Sequence, residues 1–312
     1  MTSIPAHFHR FASRALDVCA TPMLEKLWPS ILSQMLSQSG LREKSITSLL
    51  SDLRHALIIA PHPDDEFFGC PDLLLSLGES GAKVTLAVMT DGLRQASGCS
   101  VSRVDMSSNV AKHNGWAFDV MGLGDGVGDD PDADITESLT EFLFPYLRGD
   151  QRVDLMILPV WCDYHPDHRA ITVGILNVVS KLPESLCCPD MVFYWTFSAP
   201  TCIPEYAQVI RISSNRWNEP KQKWMLEYGT LISADAADRN RLIRAAVSQA
   251  CWGEIGYETV FWVPGSHAKQ ACLEAQSGYS SCVKLNGSRI IIPNTIMYGF
   301  KAAFSKLQDW EI

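Results

Sequence analysis

His55-Ala-Leu-Ile-Ile-Ala60 is an almost unbroken apolar run that stops at Pro61-His62-Pro63-Asp64-Asp65-Glu66. Six residues are too few for a stable helix, and a run apolar on both faces suits a strand buried in the middle of a parallel sheet. The proline ends the strand, and a knot of ionisable side chains follows almost at once. Outward from this point the pattern alternates. Pro71-Asp-Leu-Leu-Leu-Ser-Leu-Gly-Glu-Ser80 reads as a helix, Lys83-Val-Thr-Leu-Ala-Val-Met-Thr90 as a second strand ended by Asp91-Gly92, and 103–114 as a helix stopped by Gly115. Trp116–Leu123 reads as a third strand, and Asp134-Ile-Thr-Glu137 has the spacing of a capping box opening a helix through Tyr146. Val153–Trp161 is the next apolar strand and His168–Leu182 the helix after it. Short strands follow at 191–197, 207–212 and 259–263, with a helical stretch over about 219–250, and Asn286-Gly287 marks a hairpin near the end. This alternation predicts a Rossmann-like α/β three-layer sandwich around a mostly parallel sheet, occupying 51–312 with a C-terminal addition. Residues 1–50, with apolar side chains at rough helical spacing and prolines at 22 and 29, read as an N-terminal helical extension.

The 312 residues carry 35 acidic and 26 basic side chains, a net charge of −9 that repels phosphate backbones and disfavours nucleic acid as a partner. No apolar stretch approaches the length needed to cross a bilayer, and the first residues lack a secretory pattern. The ten cysteines include no Cys-x-x-Cys, so the expectation is reduced thiols and a cytoplasmic protein. Peripheral membrane contact through the N-terminal helices is the one lipid interaction the pattern leaves open.

In open parallel sheets the usable crevice lies beyond the carboxyl ends of the strands. Two loops there hold most of the chemistry. One is Pro61–Glu66; the other, after Trp161, is Cys162-Asp163-Tyr164-His165-Pro166-Asp167-His168. Together they offer three histidines, four aspartates and a glutamate. Such a knot of ionisable groups at the end of buried strands carries a large desolvation cost unless a cation neutralises it. Imidazole and carboxylate without thiolate suit Zn²⁺ or another divalent transition metal. Three protein ligands and an open position would make the site catalytic, with a spare carboxylate as general base and a spare histidine for a developing oxyanion.

His62-Pro63-Asp64-Asp65-Glu66 with His165-Pro166-Asp167-His168 resembles the LmbE/PIG-L family of zinc-dependent N-acetyl-sugar deacetylases. Thr90-Asp91-Gly92, Arg103 twelve residues before Gly115, Asp125-Gly126 and Tyr257-Glu258-x-x-Phe261 are similar to weaker family features, and the resemblance spans about 55–262. It implies His62, Asp65 and His168 as zinc ligands and Asp64 as the base that activates water. It further implies His165 as an imidazolium that stabilises the oxyanion, oriented by Asp167. Arg103, Glu66, Asp91 and Tyr164 become candidate substrate contacts. The implied activity is hydrolytic removal of acetyl from an N-acetylated amino sugar or its conjugate. A metal-dependent amidase for larger acyl groups and a non-catalytic, metal-organised binding module are the alternatives. The chain departs from the pattern at Met106, where the family has Glu, and at Thr230-Leu231, where it has Ser-Gln.

Other signals carry less. No register of Gly122-Leu-Gly-Asp-Gly-Val-Gly128 satisfies the dinucleotide fingerprint, and Ile135 occupies the glycine position of a calcium loop led by Asp130. No Gly-x-Ser-x-Gly elbow exists. Cys162 reads as packing, while Trp161, Tyr164 and Trp252 are candidate sugar-lining aromatics.

Overall fold

The computed structural model describes residues 42–92, 102–129, 134–163, 165–183, 186–196, 204, 206–213, 257–276, 282–285 and 288–291. Tyr164, Trp252, the helical stretch expected over 219–250, Thr230-Leu231, Asp130 and Asp132 lie outside them, as do residues 1–41 of the expected extension.

In chain order the elements are β1 (Arg42–Glu43), α1 (Ile46–Leu50), β2 (His55–Ala60), α2 (Asp65–Gly69), α3 (Pro71–Ser80), β3 (Lys83–Thr90), α4 (Arg103–His113) and β4 (Ala117–Leu123). Then come α5 (Thr136–Leu147), β5 (Leu155–Pro159), α6 (Pro166–Ser180), β6 (Asp190–Tyr194), β7 (Gln208–Ser213), β8 (Tyr257–Val263), α7 (Ala268–Gln276), β9 (Cys282–Leu285) and β10 (Ser288–Ile291). The last two strands pair antiparallel across 286–287, where the sequence places a hairpin. Strands β1 to β8 form one sheet in the order β1-β7-β8-β6-β5-β2-β3-β4. Pairing is parallel from β4 to β6, whereas β8 runs antiparallel to both β6 and β7. This is the mostly parallel α/β sheet expected. Within 1–50, β1 adds a short parallel edge strand on β7.

Alternation along β2 builds two cores. Ala56, Ile58 and Ala60 join Leu73, Leu74 and Leu77 of α3 and Met106 and Val110 of α4 on one face. Leu57 and Ile59 join Leu139 and Leu143 of α5, Ile171 and Ile175 of α6 and Ala271 of α7 on the other. Every residue of β2 is buried, which explains its unbroken apolar composition. Met106, at the departure from the family pattern, is core on the first of these faces.

The expected capping box is shifted. Asp134 accepts from the Thr136 N–H at 2.9 Å, but Ile135 occupies the N-cap position and α5 starts at Thr136. The aspartate makes a local turn just ahead of the helix. Another end is capped from afar, as the Glu258 carboxylate on β8 accepts from the Asp72 and Leu73 N–H groups at 2.6 and 2.8 Å. A negative group at these free amides complements the helix dipole. No helix among the described residues is long and apolar enough to cross a membrane.

The chain leaves β2 toward β3 and β4, then returns to lay β5 against the opposite edge of β2. Adjacent strands whose connections diverge open a crevice at their carboxyl ends. Those ends deliver the two ionisable loops to one place.

Candidate metal centre and active site

His62 follows β2, and Asp65 opens α2. His168 lies in the first turn of α6, three residues after His165, so the helix turns both imidazoles to one side. Pro166 takes the first helical position, where its missing N–H costs nothing. His62 Nδ1 lies 3.1 Å from Asp65 Oδ2 and 3.2 Å from His168 Nε2, and His168 Nε2 lies 2.9 Å from the same Asp65 oxygen. Three donor atoms from two loops thus form a triangle with sides of 2.9–3.2 Å. The His165 ring centroid lies 4.6 Å from that of His62 and 4.9 Å from that of His168. His62, His165 and His168 are one grouping able to hold an ion; His62, Asp125 and Asp167 are another.

Charges in this pocket are tightly matched. Burial draws the His62 imidazole down, but Asp167 and Asp65 outweigh it and raise its pKa to about 9. His168 is raised to about 10 against its burial by Asp65 and Asp163. Burial pushes Asp65 upward, yet the two histidines hold it well below the usual carboxylate range. The pocket therefore draws positive charge toward the three donor atoms, which is what a divalent cation brings.

Asp64 adopts φ 103°, ψ −19°, the left-handed conformation. It is the one non-glycine residue with positive φ among the described residues. That placement is costly for a side chain with a Cβ, and such strain clusters at functional sites. Its N–H donates to Glu66 Oε2 at 3.2 Å, and its carboxylate is paired with Arg103, whose Nη2 also donates to Pro63 O at 2.9 Å. Burial raises the Asp64 pKa to about 6 while Arg103 opposes the rise.

Several expected roles change. Glu66 has no exposed surface and turns toward the Asp64 amide and the Ser107 hydroxyl (3.4 Å), so it supports the loop instead of facing a substrate. Asp167 was expected to orient His165. Its carboxylate instead accepts from Gly126 and Gly128 N–H, both at 2.8 Å, and meets His62 Nε2 at 3.0 Å. His165 meets Asp167 through the backbone, since its Nδ1 accepts from the Asp167 N–H at 3.3 Å. Burial, then His168 and His62, lower the His165 pKa to about 4, against the expected imidazolium. With Nδ1 accepting, the ring proton sits on Nε2. Trp161 packs edge-on against Phe193 at 4.9 Å, in the core and not in a sugar pocket. Cys162 is buried in the same core, in line with a packing role. Asp91 is half-buried at the end of β3, its N–H bonded to Leu123 O.

Asp163 was missed as a site residue. It faces His168 Nδ1 at 3.6 Å and accepts from His165 N–H at 3.0 Å and Thr196 N–H at 3.2 Å. Its position between two motif residues was the available signal. Asp125 is the other omission; it lies 3.9 Å from His62 Nε2 and accepts from Gly92 N–H at 3.1 Å.

Residues 57–179 match the family model described as PIG-L, GlcNAc-PI de-N-acetylase. No curated protein matches the chain. Among solved structures, the chain is similar to N,N'-diacetylchitobiose deacetylase from Pyrococcus horikoshii, with 18% identity, 86% of this chain and 96% of that one covered, and a TM-score of 0.55. Conserved protein TT1542 from Thermus thermophilus gives 20% identity over 63% and 84%, TM-score 0.42. The A40926 pseudoaglycone deacetylase Dbv21 gives 18% over 68% and 96%, TM-score 0.47. The segment that carries both ionisable loops is thus similar to the PIG-L family model, and the chain shares its fold with the chitobiose deacetylase.

Proposed function

We propose that the protein is a zinc-dependent hydrolase that removes the acetyl group from an N-acetylated amino sugar or sugar conjugate in the cytoplasm. The observation that carries this reading is the donor triangle of His62 Nδ1, Asp65 Oδ2 and His168 Nε2. Zinc bonds to nitrogen and oxygen are about 2.1 Å, so two ligands of a tetrahedral ion stand about 3.4 Å apart. Sides of 2.9–3.2 Å need to open by only a few tenths of an ångström to accept the ion. The family match supports the same chemistry, on a fold shared with a chitobiose deacetylase.

A divalent ion held there supplies Lewis acidity toward the acetamide carbonyl and lowers the pKa of water toward about 7. The rest falls to side chains. Asp64 takes a proton from the attacking water and returns it to the departing amine, which leaves well only when protonated. Arg103 holds that carboxylate in place and counters the burial that would neutralise it. Neutral His165 donates from Nε2 to the oxygen on which negative charge develops. Asp91 and Arg103 lie at the carboxyl ends of the strands, where hydroxyl groups of a sugar would be met.

The test is amine release from a panel of N-acetylhexosamine conjugates and N-acyl amines of increasing acyl size. Acetate and free amine should appear only from acetylated sugars, and a chelator should abolish turnover until zinc is restored. Preference for long acyl groups would favour the wider amidase, and turnover indifferent to chelation would overturn the metal reading.

A further inference from the structure

The glycine-rich segment after β4 lacks the dinucleotide fingerprint, yet its glycines are occupied. Gly126 (φ 91°) and Gly128 aim their backbone N–H groups at one carboxylate, that of Asp167. Backbone amides arranged this way form an anion-binding concavity. A Cβ on Gly128 would fall 2.2 Å from the backbone carbon and oxygen of Pro166, so the loop lies directly on the first turn of α6. Its far side is fixed by Asp125, which accepts from Gly92 N–H. The cradled carboxylate meets His62 Nε2 at 3.0 Å, on the side of the ring opposite Nδ1.

We infer that Asp167, held by the Gly126–Gly128 amides, is the positioning residue for His62, fixing the ring so that Nδ1 faces Asp65 and His168, and that the loop after β4 thereby sets the affinity of the centre for its metal. The inference rests on the metal reading above. His62 needs this support more than His168 does. His168 is carried by a fifteen-residue helix and has no exposed surface, whereas His62 stands on an irregular loop whose next residues include the left-handed Asp64. A hydrogen bond to the far ring nitrogen fixes both the tautomer and the orientation of a ligating imidazole. Asp167 Oδ2 accepts from Gly126 N–H as well as meeting His62, and Oδ1 accepts from Gly128 N–H, so the carboxylate cannot turn without losing an amide partner.

The experiment is zinc titration of the full chain against a chromophoric chelator, with Asp167→Asn and Gly128→Ala compared to wild type. Removing such a partner weakens metal binding about 10–100-fold. Asp167→Asn should fall in that range, because an amide cannot accept from both glycines and from His62 together. Gly128→Ala should weaken zinc in the same direction with every metal-binding side chain intact. The absorption spectrum of the cobalt-substituted chain should change in both variants. If Asp167→Asn fails to fold, imidazole NMR of the zinc-loaded wild type decides, since His62 must carry its proton on Nε2 with slowed exchange. Wild-type zinc affinity and cobalt spectrum in both variants, or an unprotonated Nε2, would overturn the inference alone. A wild-type chain that takes up no zinc would overturn it together with the metal reading.

Discussion

The loop after β2 and the loop after β5 carry similar chemistry in different ways. The second turns at once into α6, so His165 and His168 inherit their positions from the helix, and Pro166 and Asp167 fit its first turn at no strain. The first loop has only the five-residue α2 behind it and passes through a left-handed Asp64. Its geometry is set largely from outside: Arg103 holds Asp64 and Asp167 reaches His62 from across the crevice, while Glu66 braces the Asp64 amide from within the loop. A ligand on a helix is placed by secondary structure, while a ligand and a base on a loop are placed by hydrogen bonds over long sequence separations. The first loop therefore combines the proposed base with the strained backbone, and the second supplies a fixed wall.

This contrast predicts where variants act. Asp64→Asn keeps the pairing shape but cannot accept a proton. It should lower kcat about 10²–10⁴-fold with zinc content unchanged, as read by steady-state kinetics beside metal analysis. Loss of zinc in that variant would place Asp64 among the ligands and erase the division of labour in the first loop. His165→Ala should lower kcat about 10²–10³-fold, the range for one oxyanion donor, again with zinc retained. An unchanged kcat would leave the second loop with a metal-binding role alone. Arg103→Met has the smallest expected effect and the clearest sign. Burial raises the Asp64 pKa to about 6 and Arg103 opposes it, so removing the guanidinium raises it further. The wild-type rate should fall as pH drops through about 6, and in Arg103→Met this acid limb should move to higher pH. A limb that stays in place would mean another group controls it.

Much of this architecture was legible in the sequence because the signals are local. The buried run 55–60, the strand–helix alternation and the His-Pro-Asp spacings are read within a few residues, and they placed both loops at one end of one sheet. What escaped is non-local. The Asp167 carboxylate bonds to Gly126 and Gly128 across 41 and 39 residues, and to His62 across 105; nothing in the motif's spacing reveals that choice over His165. Glu258 caps α3 from 185 residues away, so a segment that resembles a family motif proves to brace the scaffold. The charge of His165 is subject to a similar non-local influence. Its neighbours in sequence include a carboxylate, but in space burial and the imidazoles of His168 and His62 outweigh Asp65 and Asp167. The glycine run was a true signal whose anion turned out to be an aspartate of the chain.

The most direct test of the whole account is an anomalous-diffraction map at the zinc edge from crystals of the zinc-loaded protein. One ion is expected, about 2.1 Å from His62 Nδ1, Asp65 Oδ2 and His168 Nε2, with a position open to water. An ion held instead by His62, Asp125 and Asp167, or one closed off by a fourth protein ligand, would contradict it.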